Sequence, residues 1–437
     1  MDIKIPACAA EIIDKLNKHG YEAYIVGGCV RDMLLGREPG DWDITTSALP
    51  WQVKKVFRRT VDTGIKHGTV TVLMGKAGYE VTTYRIDGEY LDGRHPDSVS
   101  FTPDLREDLK RRDFTINAMA YNSREGIVDE FGGREDLKAG IIRCVGNAQD
   151  RFLEDALRIL RAIRFSAQLG FAVEEKTYEA IRAIAPNLVH VSKERIQAEL
   201  TKLLISRHPE RMALIWEAGI SPYVSPAFSG LWEEKKALPS VPASVPAVKH
   251  MRWAAFLRLA SPEDAVKVLK ELKMDNDTIY RVKTLVTWAS FLLEQDKAPI
   301  RRVMSRMEPE LFDDLITLKM CLAERDSLTV SEKRPKVSEE SLKLMEAGTK
   351  VPERKLQNGE ERMETFGTLA HIRVLAEEIR RDRECVTLKD LAVDGRDIIE
   401  AGVRPGREVG ACLARLLDLV LEKPSRNTRE YLLRHLK

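Results

Sequence analysis

The stretch 24-YIVGGCVRDMLLG-36, followed at once by 40-GDWDITTSALP-50, decides how this chain is read. A buried strand runs into Gly27 and Gly28 and then into a short helix carrying Val30, Arg31 and Asp32. Glycines at such a turn let the backbone approach a ligand closely, and a helix N-terminus with an arginine beside it favours a phosphate. The pattern is neither a Walker loop nor a G-x-G-x-x-G fingerprint. If 42-WDITT-46 is a strand, Asp41 and Asp43 point one way and Trp42 the other. Two bare carboxylates side by side repel, and a divalent cation between them relieves this. Mg²⁺ suits the place because it takes one or two carboxylates plus substrate phosphates. The plain alternatives are a Gly-Gly turn and a polar loop before a strand.

Around this stretch the chain alternates helical and strand signals up to about residue 140. 5-IPACAAEIIDKLNKHG-20 has helical periodicity ending at Gly20; 22-EAYIVGG-28 reads as a strand; 68-GTVTVLMG-75 and 79-YEVTTYRI-86 read as a hairpin turning at Lys76-Ala77-Gly78. This is an α/β or α+β domain. The segment 87-DGEYLDGRHPDSVSF-101, rich in Asp, Gly, His and Pro, reads as a mobile loop. From about Asp150 strand signals fade, and 151-RFLEDALRILRAIRFSAQLGF-171, 193-KERIQAELTKLL-204 and 262-PEDAVKVLKELK-273 have helical spacing. The rest of the chain is expected to be all-α, with breaks at 238-LPSVPASVPAVKH-250 and 331-SEKRPKVSEE-340.

A length of 437 residues calls for several domains. Charged residues at 32% against 6% aromatics lean towards helix. The net charge of +2 decides nothing, because what matters for a nucleic-acid partner is local clustering. The six cysteines show no C-x-x-C spacing, so neither zinc nor a disulfide framework is signalled. With no signal-peptide pattern and no membrane-length apolar run, a cytoplasmic protein is expected.

Glu80 supplies a third carboxylate if its strand lies beside the one bearing Asp41 and Asp43. Phosphate-cradling backbone, a dicarboxylate and a divalent metal suit nucleotidyl transfer. In order along the chain come G-G-x-V-R-D-x-L-L-G, D-x-D, 108-DLKRRDFTINAMAYN-122, 151-RFLEDALRILRAIRFSAQLGF-171 and 193-KERIQAEL-200. Over roughly the first 205 residues this series resembles the class II tRNA nucleotidyltransferases, the CCA-adding enzymes and their bacterial poly(A) polymerase relatives. The end, 391-LAVDGRDIIEAG-402 and 423-KPSRNTREYLL-433, is similar to the tail of the shorter bacterial members.

The resemblance implies an α+β, polymerase β-like nucleotidyltransferase domain with a mixed sheet, followed by an all-α C-terminal region. The divisions would be a catalytic head at 1–140, a helical neck at 141–225, a body at 226–345 and a tRNA-binding tail at 346–437. It implies that Asp41 and Asp43 hold Mg²⁺ with Glu80 as helper. Gly27, Gly28, Arg31 and Arg112 would bind triphosphate with Arg111 nearby, Asp113 would sit near the ribose, and Asn117 would hold the turn. Arg161 and Arg164 would help bind the nucleotide.

Asp155 and Arg158 are three apart and so would be neighbours on one helix face, where an intrahelical ion pair is the ordinary reading. The same geometry would let a carboxylate accept from an exocyclic amine while a guanidinium donates to the adjacent ring acceptor. Cytosine and adenine offer that edge; uracil and guanine present a carbonyl and a ring N–H there. The expected activity is template-independent addition of CCA to tRNA from CTP and ATP. Addition of the terminal A alone, poly(A) synthesis, and a non-catalytic RNA-binding protein are the rivals. The absence of a His-Asp dipeptide argues against a fused phosphohydrolase domain, and the loop after the hairpin favours an enzyme able to reach the terminal A. Lys423, Arg426, Arg429, Arg434 and Lys437 against Glu430 make the tail a candidate RNA-backbone contact. Cys29 stands where the family often has Ala, and its oxidation would block nucleotide.

Overall fold

The computed structural model describes residues 5–88, 99–231, 241–328 and 365–436, with side chains omitted for 324–328. The chain divides into two compact units, Met1–Leu238 with Glu271–Met274, and Pro239–Lys270 with Asp275–Lys437.

In the first unit, helix α1 (Ala7–Lys18) buries Ala9, Ile12, Ile13 and Leu16 on one face, the spacing its sequence predicts. It stops before Gly20, whose φ of 83° suits only glycine well. Strand β1 (Ala23–Val26) is buried along its whole length, and the chain turns at Gly27 into α2 (Gly28–Leu34). There follow β2 (Ile44–Thr46), α3 (Pro50–Val56), β3 (Thr60–Gly64), β4 (Thr69–Met74), β5 (Ala77–Thr83), β6 (Arg85–Asp87) and β7 (Val99–Phe101). Then come α4 (Leu105–Lys110), β8 (Ala120–Asn122), β9 (Gly126–Val128), α5 (Gly133–Ala139) and β10 (Ile141–Ile142).

A seven-stranded sheet runs β3-β4-β5-β2-β1-β8-β9. It is mixed: β2 pairs parallel with β5, while β1 pairs antiparallel with β2 and β8. The interior places of β1 and β2 account for their burial on both faces.

The structure corrects several expectations here. The strand read over 42–46 begins at Ile44, so Asp41 and Asp43 lie in the segment entering it, although Val26 still donates to the Asp43 carbonyl at 3.0 Å. The hairpin strand ends at Thr83; Arg85–Asp87 leaves the sheet and pairs with β7 in a separate two-stranded ribbon. The segment read as a mobile loop therefore begins and ends in strand, and its residues 89–98 lie outside the described residues.

The helical layer of this unit comprises α6 (Ala148–Glu154), α7 (Leu157–Leu169), α8 (Glu175–Ile184) and α9 (Lys193–Leu204), among shorter turns. It is not wholly helical: β11 (Ala172–Val173) pairs parallel with β10. The single helix expected over 151–171 is two, because Asp155 is extended at φ −146° and ψ 102°.

The second unit is helical throughout its described residues. Ile398, Leu416, Val420 and Leu432 centre one apolar cluster. Buried Arg301 donates to the carbonyls of Leu421 at 2.7 Å and Glu422 at 3.2 Å, satisfying the end of the helix Arg407–Glu422. The segment 331–340 and residues 238–240 of the other expected break lie outside the described residues. No helix among the described residues is long and apolar enough to cross a membrane.

Candidate active site

The site begins at Gly27, whose φ of 79° and ψ of −127° no L side chain adopts comfortably. A Cβ there would lie 2.9 Å from Nη1 of Arg112, so the guanidinium packs directly over the turn. Arg112 makes one long contact, Nη2 to Asp108 at 3.5 Å, and its buried Nε has no hydrogen-bond partner. Its neighbour Arg111 is instead committed: Nε and Nη2 donate to Asp108 at 3.0 and 2.8 Å.

Asp41 and Asp43 are exposed at the entrance to β2, with Trp42 between them half-buried; all three precede the strand, so strand alternation does not set their direction. Although Asp43 keeps solvent access, the protein packed around its carboxyl takes away part of its water and pushes it above its usual range; Arg112 opposes this and Asp41 reinforces it. Asp43 thus feels both the like charge of Asp41 and the opposite charge of Arg112. Ile44 stands opposite Val81 in the parallel pairing; Asp43 immediately precedes the one and Glu80 the other, and Glu80 is exposed. Among the described residues no three His, Cys, Asp or Glu side chains gather closely enough to hold a cation alone. Two carboxylates completed by substrate phosphates are what Mg²⁺ usually uses, so the donor set fits that ion.

Behind the turn a chain of bonds runs across the unit. Arg31, almost wholly buried, donates from Nη1 to Asn117 Oδ1 at 2.7 Å and from Nε and Nη2 to Asp32 at 2.9 Å each. Asn117 Nδ2 donates to Asp113 Oδ1 at 3.1 Å, and Arg161 donates from Nε and Nη2 to Asp113 Oδ2 at 2.8 and 2.6 Å. Burial alone would raise the Asp113 carboxyl, but the charges of Arg161 and Arg158 and the bond from Asn117 outweigh it, leaving it lowered to about 2. Arg164, also buried, pairs with Glu199 and donates to Gln168 at 2.7 Å. Arg31, Arg161 and Arg164 all lie against the ring of Phe165, at 5.1, 5.5 and 3.9 Å from its centroid.

Asp155 and Arg158 are not neighbours on one helix face. Extended backbone at Asp155 swings its carboxylate to the start of α7, where Oδ1 accepts from the Leu157 N–H at 3.0 Å and Oδ2 from Arg195 at 2.8 Å. Arg158 pairs with Glu154 at 2.5 Å and donates to the carbonyls of Arg151 and Arg111 at 3.2 and 3.1 Å. Each member of the expected pair therefore has its own opposite-charge partner. The Cys29 thiol is buried, donates to the Val26 carbonyl at 3.3 Å, and is pushed up to about 11 by burial. Such a thiol is little ionised and correspondingly slow to oxidise.

Sequence reasoning missed Glu154, Phe165, Arg195 and Glu199. Two of them lie in 193-KERIQAEL-200, whose alternating charges one helical turn apart were the available signal.

With this geometry in view, the comparisons with known proteins are direct. The Poly A polymerase head domain family matches residues 23–143, and the family described as "Probable RNA and SrmB- binding site of polymerase A" matches 170–231. The CCA-adding enzyme of Lactobacillus helveticus is 36% identical over 438 residues, covering 98% of this chain and 96% of that one. The chain belongs to the CCA-adding enzyme family. The family's member from Geobacillus thermodenitrificans is 47% identical over 273 residues, 62% of this chain and 67% of that one. The crystal structure of the Bacillus stearothermophilus CCA-adding enzyme in complex with CTP superposes with a TM-score of 0.77 at 33% identity, covering 98% and 95% of the two chains. The family's α+β head with a mixed sheet and helical remainder is the fold described above.

Proposed function

We propose that this chain adds the 3′-terminal CCA to tRNA without a template, using CTP and ATP. The observation that carries the reading is the convergence at the glycine turn of Asp43, Arg112 with its unpartnered Nε, and the strand bearing Glu80. In this reading Asp41 and Asp43 hold Mg²⁺, with Glu80 beside them. Bound there, the ion would ease deprotonation of the attacking 3′ hydroxyl and neutralise charge on the reacting phosphate.

Gly27 and Gly28 let the triphosphate approach the backbone, and Arg112, whose guanidinium packs over the turn, donates to it. Arg31, Asn117, Asp113 and Arg161 form the bonded chain that keeps the turn and α7 in register, with Arg31 on the triphosphate side and Asp113 on the ribose side; Arg161 also presents its outer edge to nucleotide, with Arg164 behind it. Asp155 accepts from the exocyclic amine of C or A while Arg158 donates to the neighbouring ring nitrogen. Uracil and guanine set acceptor against acceptor and donor against donor. The head, neck, body and tail divisions at 140, 225 and 345 belong to the same proposal, as do cytoplasmic action and tRNA contact through the helical unit.

The test supplies Mg²⁺ and tRNA transcripts ending before the tail, after C and after CC, with CTP, ATP or both, and sizes the products. Extension of all three to CCA followed by a stop is the expected result. Addition of a single A to only the CC-ended transcript, long A tails, or no extension would each overturn it in favour of an A-adding enzyme, a poly(A) polymerase or a non-catalytic protein.

A further inference from the structure

Helix α9 carries Arg195 and Glu199 one turn apart, with opposite charges, and each meets a residue of the proposed nucleotide site from behind. Arg195 Nη2 donates to Asp155 Oδ2 at 2.8 Å. Glu199 pairs with buried Arg164 and is itself buried. The helix is anchored at its start: Lys193 Nζ donates to the carbonyls of Tyr223, at 3.3 Å, and Val224. It packs along α7, placing Ile196, Leu200 and Leu203 in the core between them.

We infer that α9 is the strut that sets base choice, with Arg195 and Glu199 as specificity-determining positioning residues acting through Asp155 and Arg164. This rests on the base-reading role proposed for Asp155. The Asp155 carboxylate is reached by two protein donors from different directions, the Leu157 N–H of its own chain turn and Arg195 from α9. Because a carboxylate offers about four lone-pair sites, this leaves acceptor capacity on both oxygens for an incoming amine while fixing the plane of the group. The extended backbone at Asp155 releases it from a helix face, so without Arg195 only the Leu157 N–H would hold it. A free carboxylate can rotate or draw in water to suit a carbonyl edge, and discrimination against uracil and guanine falls. Glu199 acts one turn further along, holding Arg164 against the Phe165 ring that Arg161 and Arg31 also touch.

The experiment measures kcat and KM for single-nucleotide incorporation of CTP, ATP, UTP and GTP on tRNA transcripts, in wild type, Arg195→Gln and Arg195→Lys. tRNA affinity and thermal unfolding are followed in parallel. Arg195→Gln is expected to cut the CTP-over-UTP and ATP-over-GTP ratios of kcat/KM by about tenfold or more, the size of effect that a misplacement of about an ångström produces. tRNA affinity should be unchanged, and Arg195→Lys, which keeps one donor, should recover part of the ratio. Unchanged ratios, or an equal loss for all four nucleotides with no recovery in Arg195→Lys, would overturn the inference. If Arg195→Gln does not fold, Arg195→Lys and Glu199→Gln carry the test: an intact ratio in both overturns it, and a reduced ratio in either supports it. A wild type that adds no nucleotide, or shows no preference for C and A, would refute the base-reading proposal instead.

Discussion

The glycine turn with its aspartates and the α7–α9 layer make opposite use of charge. At the turn, Asp41 and Asp43 are exposed and Arg112 keeps a nitrogen without a partner. In the α7–α9 layer Arg161, Arg164, Asp155 and Arg158 each have a named partner on the protein. Charges left unanswered by the fold are open to a metal ion or a phosphate; charges already answered are held in one place, from which Asp155 and Arg158 can still offer a spare acceptor and donor to a base. The difference teaches that one motif series holds its charges in two ways, open at the glycine turn and fixed by protein partners in the α7–α9 layer.

Removing an unanswered charge should abolish chemistry without disturbing the fold. Asp41→Ala or Asp43→Ala is expected to lower incorporation by about 10³-fold or more, about 4 kcal/mol of transition-state stabilisation, with an unchanged unfolding midpoint. Retained activity in single-turnover assays would break the contrast. At the buried Arg164–Glu199 pair the effect should move to stability. Arg164→Met leaves Glu199 buried with only Lys202, 3.8 Å away, and is expected to destabilise by about 3 kcal/mol in urea unfolding, the low end for a broken buried pair.

Two smaller effects sharpen the comparison. Gly27→Ala must adopt a strained backbone and displace Arg112, so it should raise the nucleotide KM and destabilise by about 1–3 kcal/mol. Asp113, lowered to about 2 from an ordinary value near 3.8, contributes stability that is fully present above about pH 4. That contribution, about 2 kcal/mol, is lost as pH falls through about 2, and Asp113→Asn should flatten this part of the acid-unfolding profile. At the bottom of the scale, Arg434→Met at the exposed pair with Glu430 should change stability by less than about 0.5 kcal/mol.

How much of this was legible follows the range of the interactions. The β1 strand, α1 and α9 were readable because local apolar periodicity and a glycine fix them. The family was readable because five motifs recur in order. The break at Asp155 was not, since α6 and α7 form one continuous helical pattern and the group that holds the carboxylate out, Arg195, comes 40 residues later. The ribbon of β6 with β7 and the pairing of β10 with β11 escaped for the same reason: two- and three-residue strands carry no period, and only distant partners define them. Arg112 was named by the family resemblance, but its Nε without a protein partner, which depends on how it packs over the turn, was not legible.

The parallel pairing of β2 with β5 also bears on how the chain reaches this state. The β4–β5 hairpin closes across two residues, Gly75 and Lys76, and carries Glu80. Docking β2 beside it joins Ile44 to Val81, 37 positions apart, and β1 must find β8 across a span from Ile25 to Tyr121. Closing long loops costs entropy before the contacts return it. The hairpin should therefore form among the earliest elements, and β2, which the aspartates lead into, should join it late. A nascent or refolding chain then gathers the carboxylates proposed to hold metal only when the head is nearly complete, so recovery of activity should lag behind recovery of hairpin structure.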